Sequence, residues 1–215
     1  LGGYVADARA RVAAELGATA GVSLAWSGQF EAYERAKARL ATVLPLTGVL
    51  IVVLLFFAFS RMGEVVLVLS TLPFALVGGV WLVYLLDQNL SVASAVGFIA
   101  LAGLAAEFGV VMLVYLDRTL EDWQADGRLR SAADLVPAII EGAVMRVRPK
   151  AMTVLTIVAG LAPVMAGEGA GAEIMRRIAA PMLGGMLSAP ILSMLVLPAA
   201  YLLMVRRRDA LLAAR

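Results

Sequence analysis

The sequence predicts an all-α polytopic membrane protein with five transmembrane helices, preceded by a short segment of mixed α/β character. Three observations predict it. The 215 residues are 62% hydrophobic and 16% charged, where soluble domains sit near about 45–50% and 25%. Mean hydropathy is +0.91. Five apolar stretches are of about the length that crosses a bilayer, and the basic residues between them fall mostly on one side. Cysteine and histidine are both absent, which excludes disulfide frameworks, zinc sites of the Cys/His kind and any catalytic triad that needs an imidazole.

The elements follow in chain order. Leu1–Arg39 is too polar to insert. Tyr4–Leu16 carries Val5, Ala8, Val12 and Leu16 at helical spacing with charges between them. Val22–Trp26 alternates apolar and polar residues as a short strand does, and Gln29–Arg39 returns to a helical pattern that runs into the first span. A helix and a strand bury too little apolar surface to fold alone. Residues 1–39 therefore read as the end of an extramembrane domain whose body lies upstream. The chain opens on Leu1 without a signal-peptide pattern, and the expectation is a piece of a longer polypeptide.

The spans are expected at about 40–60, 65–86, 90–116, 151–167 and 178–205. Arg61–Glu64 and Asp87–Asn89 are tight connections, Asp117–Arg148 is a longer polar one and Glu168–Arg177 a short Gly-rich one. Within the long connection, Ser131–Asp134 resembles a capping box with Asp in place of Glu. Leu135, Ile139, Ala143 and Val144 then form one apolar face. That pattern fits a helix lying on the membrane surface or a plain connector helix. Arg61, Arg118, Arg128, Arg130, Arg146, Arg148, Lys150, Arg206, Arg207, Arg208 and Arg215 fall on one side, and only Arg176 and Arg177 on the short loops of the other. The first side is expected in the cytoplasm, with a basic tail from 206 to 215, and the N-terminal segment outside.

Glu107 is the single Asp, Glu, Lys or Arg in the run Leu90–Leu116. It lies nine residues before Leu116, about 14 Å along a helix. An acid at that depth costs about 2–3 kcal/mol on insertion scales and marks proton or ion pathways. A protonated Glu bonded to a neighbouring helix is the plainer alternative. Ala100, Gly103 and Ala106 flank it; such small residues let another helix approach, so Glu107 is expected to face protein. Shielding from water favours the neutral acid and makes protonation reversible.

Lys150 is the candidate partner. It follows Pro149, a residue suited to the first turn of a helix. Thr153 and Thr156 on the next turns give a polar stripe that faces inward if the helices pack. Two readings of Lys150 stand side by side: it meets Glu107 at one depth if the third span overhangs, or it reaches back to the interface. Ten methionines raise a Cu(I) or Ag(I) reading, although Met is ordinary filler in apolar helices. Met175 differs, because it sits in the outer Gly-rich run, with Met182 and Met186 following at helical spacing. Pro163, Pro181, Pro190 and Pro198 interrupt the last two spans, which is compatible with bending.

These residues carry a resemblance. Gly97–Met112 (GFIALAGLAAEFGVVM) looks like the tenth transmembrane helix of heavy-metal efflux pumps of the resistance–nodulation–division (RND) superfamily. Val147–Thr153 (VRPKAMT) resembles the start of their eleventh. Gly169–Met175 (GAGAEIM) and Ile178–Met186 (IAAPMLGGM) resemble the entry to the twelfth, and Trp26–Glu31 and Pro73–Gly79 match upstream. The resemblance covers essentially the whole chain, and is to the CusA-like copper/silver branch; in the zinc/cobalt/cadmium branch the position of Glu107 is not acidic and the run at Met175 differs. It implies that Glu107 and Lys150 are proton-relay residues and that Met175 belongs to a metal path. It further implies a proton-driven exporter of Cu(I)/Ag(I) in the bacterial inner membrane, without a resident cofactor, assembled as a homotrimer in lipid with a periplasmic adaptor and an outer-membrane channel, and without nucleic-acid partners. The family's third relay residue, an aspartate on its fourth helix, its porter and docking domains and its central methionine cluster have no counterpart here. The chain thus resembles helices eight to twelve with the end of the second periplasmic loop.

An exporter of other substrates and a non-transporting scaffold subunit are the competing readings. An intramembrane enzyme is not expected: there is no His or Cys, and no pair of membrane aspartates or Ser–Lys pair sits at a plausible depth.

Overall fold

The structure is a computed structural model and describes residues 2–16, 29–169 and 171–213. Six helices follow in order: α1 (Gly2–Leu16), α2 (Gln29–Phe59), α3 (Met62–Leu85), α4 (Val92–Ala125), α5 (Leu135–Ala166) and α6 (Ala172–Ala213). No strand occurs among the described residues, and the expected strand Val22–Trp26 lies outside them. Five helices, α2 to α6, are long and apolar enough to cross a membrane. The chain forms two compact units, residues 1–53 and 54–215.

In the first unit, α1 matches the expected amphipathic stretch. Val5, Ala8 and Val12 are half-buried on a helix otherwise exposed at its described side chains. The helix begun at Gln29 continues without a break through Pro45 into the first span, as its pattern predicts.

The second unit is a bundle organised around α6, which packs against α3, α4 and α5, while α4 also packs against α3 and α5. Glycines set the spacing. A Cβ on Gly184 would fall on the carbonyl oxygen of Gly78, and one on Gly78 would fall on the carbonyl of Gly184, so α3 and α6 touch backbone to backbone there. On α4, a Cβ at Gly97 would strike the carbonyl of Ile178, and Gly185 of α6 accepts the side chain of Leu101. In lipid, apolar burial drives no association between helices, and close packing of this kind holds them together instead.

Three expected boundaries are corrected. Asp117–Arg148 is not a loop carrying a separate surface helix: α4 continues to Ala125, α5 begins at Leu135, and only residues 126–134 connect them. The apolar face of α4 persists through Leu116, Leu120 and Trp123, all buried, so the helix keeps its partner beyond the span. Nor does Pro149 open a helix. It sits near the middle of a 32-residue helix, exposed at a place where the carbonyl it frees is not trapped in the core. Likewise Glu64 lies in the first turn of α3 rather than in a connection. At roughly 51 and 48 Å, α4 and α5 both exceed the hydrocarbon thickness. Their extension is fastened: the Arg128 guanidinium stacks on Trp123 at 3.8 Å, and Trp123 Nε1 donates to Glu141 at 3.2 Å. Arg146 lies over Tyr115 at 4.6 Å.

The expected capping box forms by half. The Asp134 carboxylate accepts the backbone N–H of Ser131 at 2.8 Å and of Arg130 at 3.0 Å, and the Ser131 hydroxyl at 3.0 Å. The backbone bond from Ser131, then that from Arg130, then the Ser131 hydroxyl hold the Asp134 carboxyl below its ordinary value of 3.8. A carboxyl depressed on folding stabilises the fold above its unfolded pKa and loses that contribution as pH falls through the folded value. The connection 126–134 should therefore open only in acid below about pH 4. Pepsin cleavage there, relative to an unstructured control peptide, should rise between pH 4.5 and 2.5 in the wild type and be high at both in Asp134→Ala. Equal relative cleavage of wild type at the two pH values would show that Asp134 does not hold the turn.

Candidate functional site

Lys150 is the deepest cation in the bundle. It is 2% exposed, and its Nζ donates to Ser193 Oγ of α6 at 2.8 Å. The Ser193 hydroxyl in turn donates a hydrogen bond to the carbonyl of Pro190 at 3.0 Å. On the other flank the ammonium lies 5.3 Å from the ring centroid of Phe108 on α4. Phe108 belongs to an apolar cluster with Ala75, Ala105, Met186 and Ala189, against which Val154, Ile157 and Val158 of α5 pack. The reading in which Lys150 extends to the interface is thereby overturned: the residue is mid-helix, and its face of α5 is the one packed inward.

Glu107 does not meet it. The two form no ion pair, although the ammonium reaches the ring of the very next residue. Phe108 points into the bundle and Glu107 points away. The cause is the helical turn of about 100° per residue. Val96, Ile99, Gly103 and Glu107 share an uncovered face, and a Cβ on Gly103 would meet nothing within 4 Å. The expectation that small residues bring protein against Glu107 is not met by any described helix of this chain.

Thr153 and Thr156 are also exposed. Each hydroxyl donates to a carbonyl of its own helix, Pro149 at 3.2 Å and Met152 at 2.9 Å. The inward stripe is therefore corrected, because the inward face belongs to Lys150, Val154 and Ile157. Met175 lies exposed in the first turns of α6, next to Arg176, whose guanidinium donates to the carbonyl of Gly167 at 2.5 Å. Met182 is half-buried and Met186 is core, so the three do not converge. No group of three or more Asp or Glu suited to a metal ion occurs among the described residues.

Sequence reasoning missed Ser193. It is a polar residue on the stripe of α6 that carries Met186, Ala189 and Leu197, all buried, and that placement was its signal. It also corrects the expectation about Ser–Lys arrangements, since residues 43 positions apart meet through α5–α6 packing. With both residues sealed in the core and Ser193 turned to a carbonyl, the pair is a fixed hydrogen bond rather than an activated nucleophile.

The sequence profile of the AcrB/AcrD/AcrF family matches residues 1–205. The chain belongs to this family. Within it, the chain is 52% identical over 202 residues to the cation efflux system protein CusA of Escherichia coli (strain K12), covering 93% of this chain and 19% of that protein. It is 50% identical to the putative cation efflux system protein SilA of Salmonella typhimurium, with 95% and 20% covered. It is 37% identical to the nickel-cobalt-cadmium resistance protein NccA of Alcaligenes xylosoxydans xylosoxydans. The crystal structure of a heavy metal efflux pump superposes with a TM-score of 0.75 at 34% identity, over 96% of this chain and 20% of that one. The heavy-metal efflux resemblance is thus borne out, and the chain spans about a fifth of the length of these relatives.

Proposed function

We propose that the chain is the C-terminal membrane part of a proton-driven efflux pump that exports Cu(I) or Ag(I) from a bacterial inner membrane by metal/proton antiport. One observation carries the reading: a buried ammonium sits beside the helix of a membrane carboxylate, in a chain about half identical to a cation efflux protein. The ends that carry Arg61, Arg118 and Arg146 face the cytoplasm, and residues 1–39 close a periplasmic domain. A homotrimer joined to a periplasmic adaptor and an outer-membrane channel is the assembly the resemblance supports.

In this scheme the uncovered face around Glu107 is closed by helices from the remainder of the polypeptide. Shielded there, the carboxylate takes a proton from the periplasmic side and becomes the neutral acid. The Lys150 ammonium of α5, which lies by the ring of Phe108, the residue after Glu107 on α4, favours the carboxylate when the proton leaves. The alternation biases how α4, α5 and α6 pack, and the bias is passed to the periplasmic domain that holds the metal. Met175, exposed at the outer end of α6, offers a soft thioether to the passing ion. Identity with NccA supports a second reading, export of divalent ions.

Growth on graded copper and silver tests this, using an exporter-deficient host that carries the full reading frame. Wild type should confer tolerance, and Glu107→Gln should lose essentially all of it at equal membrane abundance. Tolerance to nickel or cobalt alone would favour the second reading. Full copper and silver tolerance in the mutant would remove Glu107 from the proton path.

A further inference from the structure

A second polar site lies at the arginine-bearing end of the bundle. A cleft of about 430 Å³ is enclosed there by the α2–α3 turn, α3, α4, the α4–α5 connection, the start of α5 and the end of α6. Its floor holds two side chains that are each 2% exposed, Glu64 of α3 and Tyr201 of α6. The Tyr201 hydroxyl donates to the half-buried carboxylate of Asp117 on α4, and Arg61 pairs with Glu64 at 3.3 Å. Exposed Arg61, Arg118, Glu121 and Gln124 make the rim, so the cleft opens outward. The charged or titratable groups facing it are Arg61 from the α2–α3 turn, Glu64 from α3, Asp117, Arg118 and Glu121 from α4, and Tyr201 from α6; α2 and α5 contribute none.

We propose that this cleft is the port through which protons leave to the cytoplasm, with Glu64 and Asp117 as acceptors and Tyr201 as the residue that positions Asp117. The proposal rests on the antiport reading and extends it to a site far from Glu107. A carboxylate set deep in a bundle is costly unless water or a partner compensates it, and this cleft offers both, with exposed Arg61 and Arg118 at its rim. The α6 helix joins it to Lys150. Ser193, Leu197 and Tyr201 follow at intervals of four on one buried stripe, so the two polar sites are about 12 Å apart along the helix. Fully buried Leu197 stands between them, and a gap there is what an antiporter needs, because a continuous hydrogen-bonded path would leak protons. The step across Leu197 belongs to another arrangement of α6. After it, a carboxylate of the cleft takes the proton and gives it to water, one O–H bond forming as another breaks.

The test uses the full-length protein in vesicles, with Ag(I)-driven proton flux read by an entrapped pH dye and Ag(I) binding measured separately. Glu64→Gln with Asp117→Asn should slow proton flux and Ag(I) transport at least about tenfold and leave Ag(I) affinity unchanged. High concentrations of MES, an impermeant buffer small enough for the cleft, should restore the flux from the cytoplasmic side. Tyr201→Phe, which deletes one hydroxyl, should give a smaller loss that MES also restores, and decides the matter if the double variant fails to fold. Wild-type flux in the variants would overturn the port, and so would a loss in folded protein that MES does not restore, which marks a mere clasp between helices. Absence of Ag(I)-driven flux in wild type would instead sink the antiport reading itself.

Discussion

Lys150→Met should abolish metal export and leave the protein as stable as wild type or more so. Lys150 is almost wholly buried, with Ser193 as its hydrogen-bond partner and Phe108 of an apolar cluster nearby. Taking an ammonium out of water costs several kcal/mol. A hydrogen bond to a charged group returns about 1.5–3 kcal/mol and a desolvated cation–π contact about 2. A methionine of similar reach fills the same space without that cost, and replacing buried charge by apolar bulk stabilises proteins by about 1–4 kcal/mol in favourable cases. The charge is therefore held against the preference of the packing. Thermal stability of the purified full-length protein and metal tolerance of the host, measured together, check this. A Met variant that still exports would remove Lys150 from the relay; one that loses both export and stability would make the residue a structural pin.

Gly184→Val should leave little folded protein in the membrane. The added atoms would land on the Gly78 carbonyl and on the Cβ of Leu82, and a backbone carbonyl cannot swing aside as a side chain does. Separating α3 from α6 would also loosen Gly79 from Pro181, since those residues meet at the same crossing. Overpacking of ordinary cores costs about 1–3 kcal/mol, and a backbone contact belongs at or above the top of that range. Gly184→Ala should already lower the yield of monodisperse protein after detergent extraction, and valine should lower it further. Wild-type yield and melting temperature in the valine variant would show that the crossing is not tight.

The membrane fold was legible in the sequence because its signal is local. Length and apolarity mark each span independently of the others, and all five expected spans lie on observed helices. What a helix does beyond the bilayer was not legible by that measure. Asp117–Ala125 and Leu135–Arg148 look polar in composition, yet Leu120, Trp123, Leu135 and Ile139 keep one face buried, and it is the partner across the α4–α5 hairpin that makes them helical. The candidate site divides in the same way. The depth of Glu107 could be counted along one helix. Facing could not, since it depends on which neighbours are present, and Glu107 and Thr153 turned out to lie on uncovered faces. Ser193 is the converse case: an ordinary residue in its own helix that gains meaning only from Lys150, on a different one.

The place of α6 in the bundle has a consequence for biogenesis. It packs on three helices that precede it in the chain, so it leaves the ribosome after all of them. Gly78 is made roughly 100 residues before Gly184, which is about 5–20 s at ordinary synthesis rates. During that interval α3 and α4 stand in the bilayer with their glycine notches filled by lipid, and folding ends by exchanging acyl chains for a late-arriving helix backbone. A ribosome stalled before Gly184 would thus strand correctly inserted spans held only by the contacts of α4 with α3 and α5, recognisable to membrane quality control by notches that hold lipid in place of a helix.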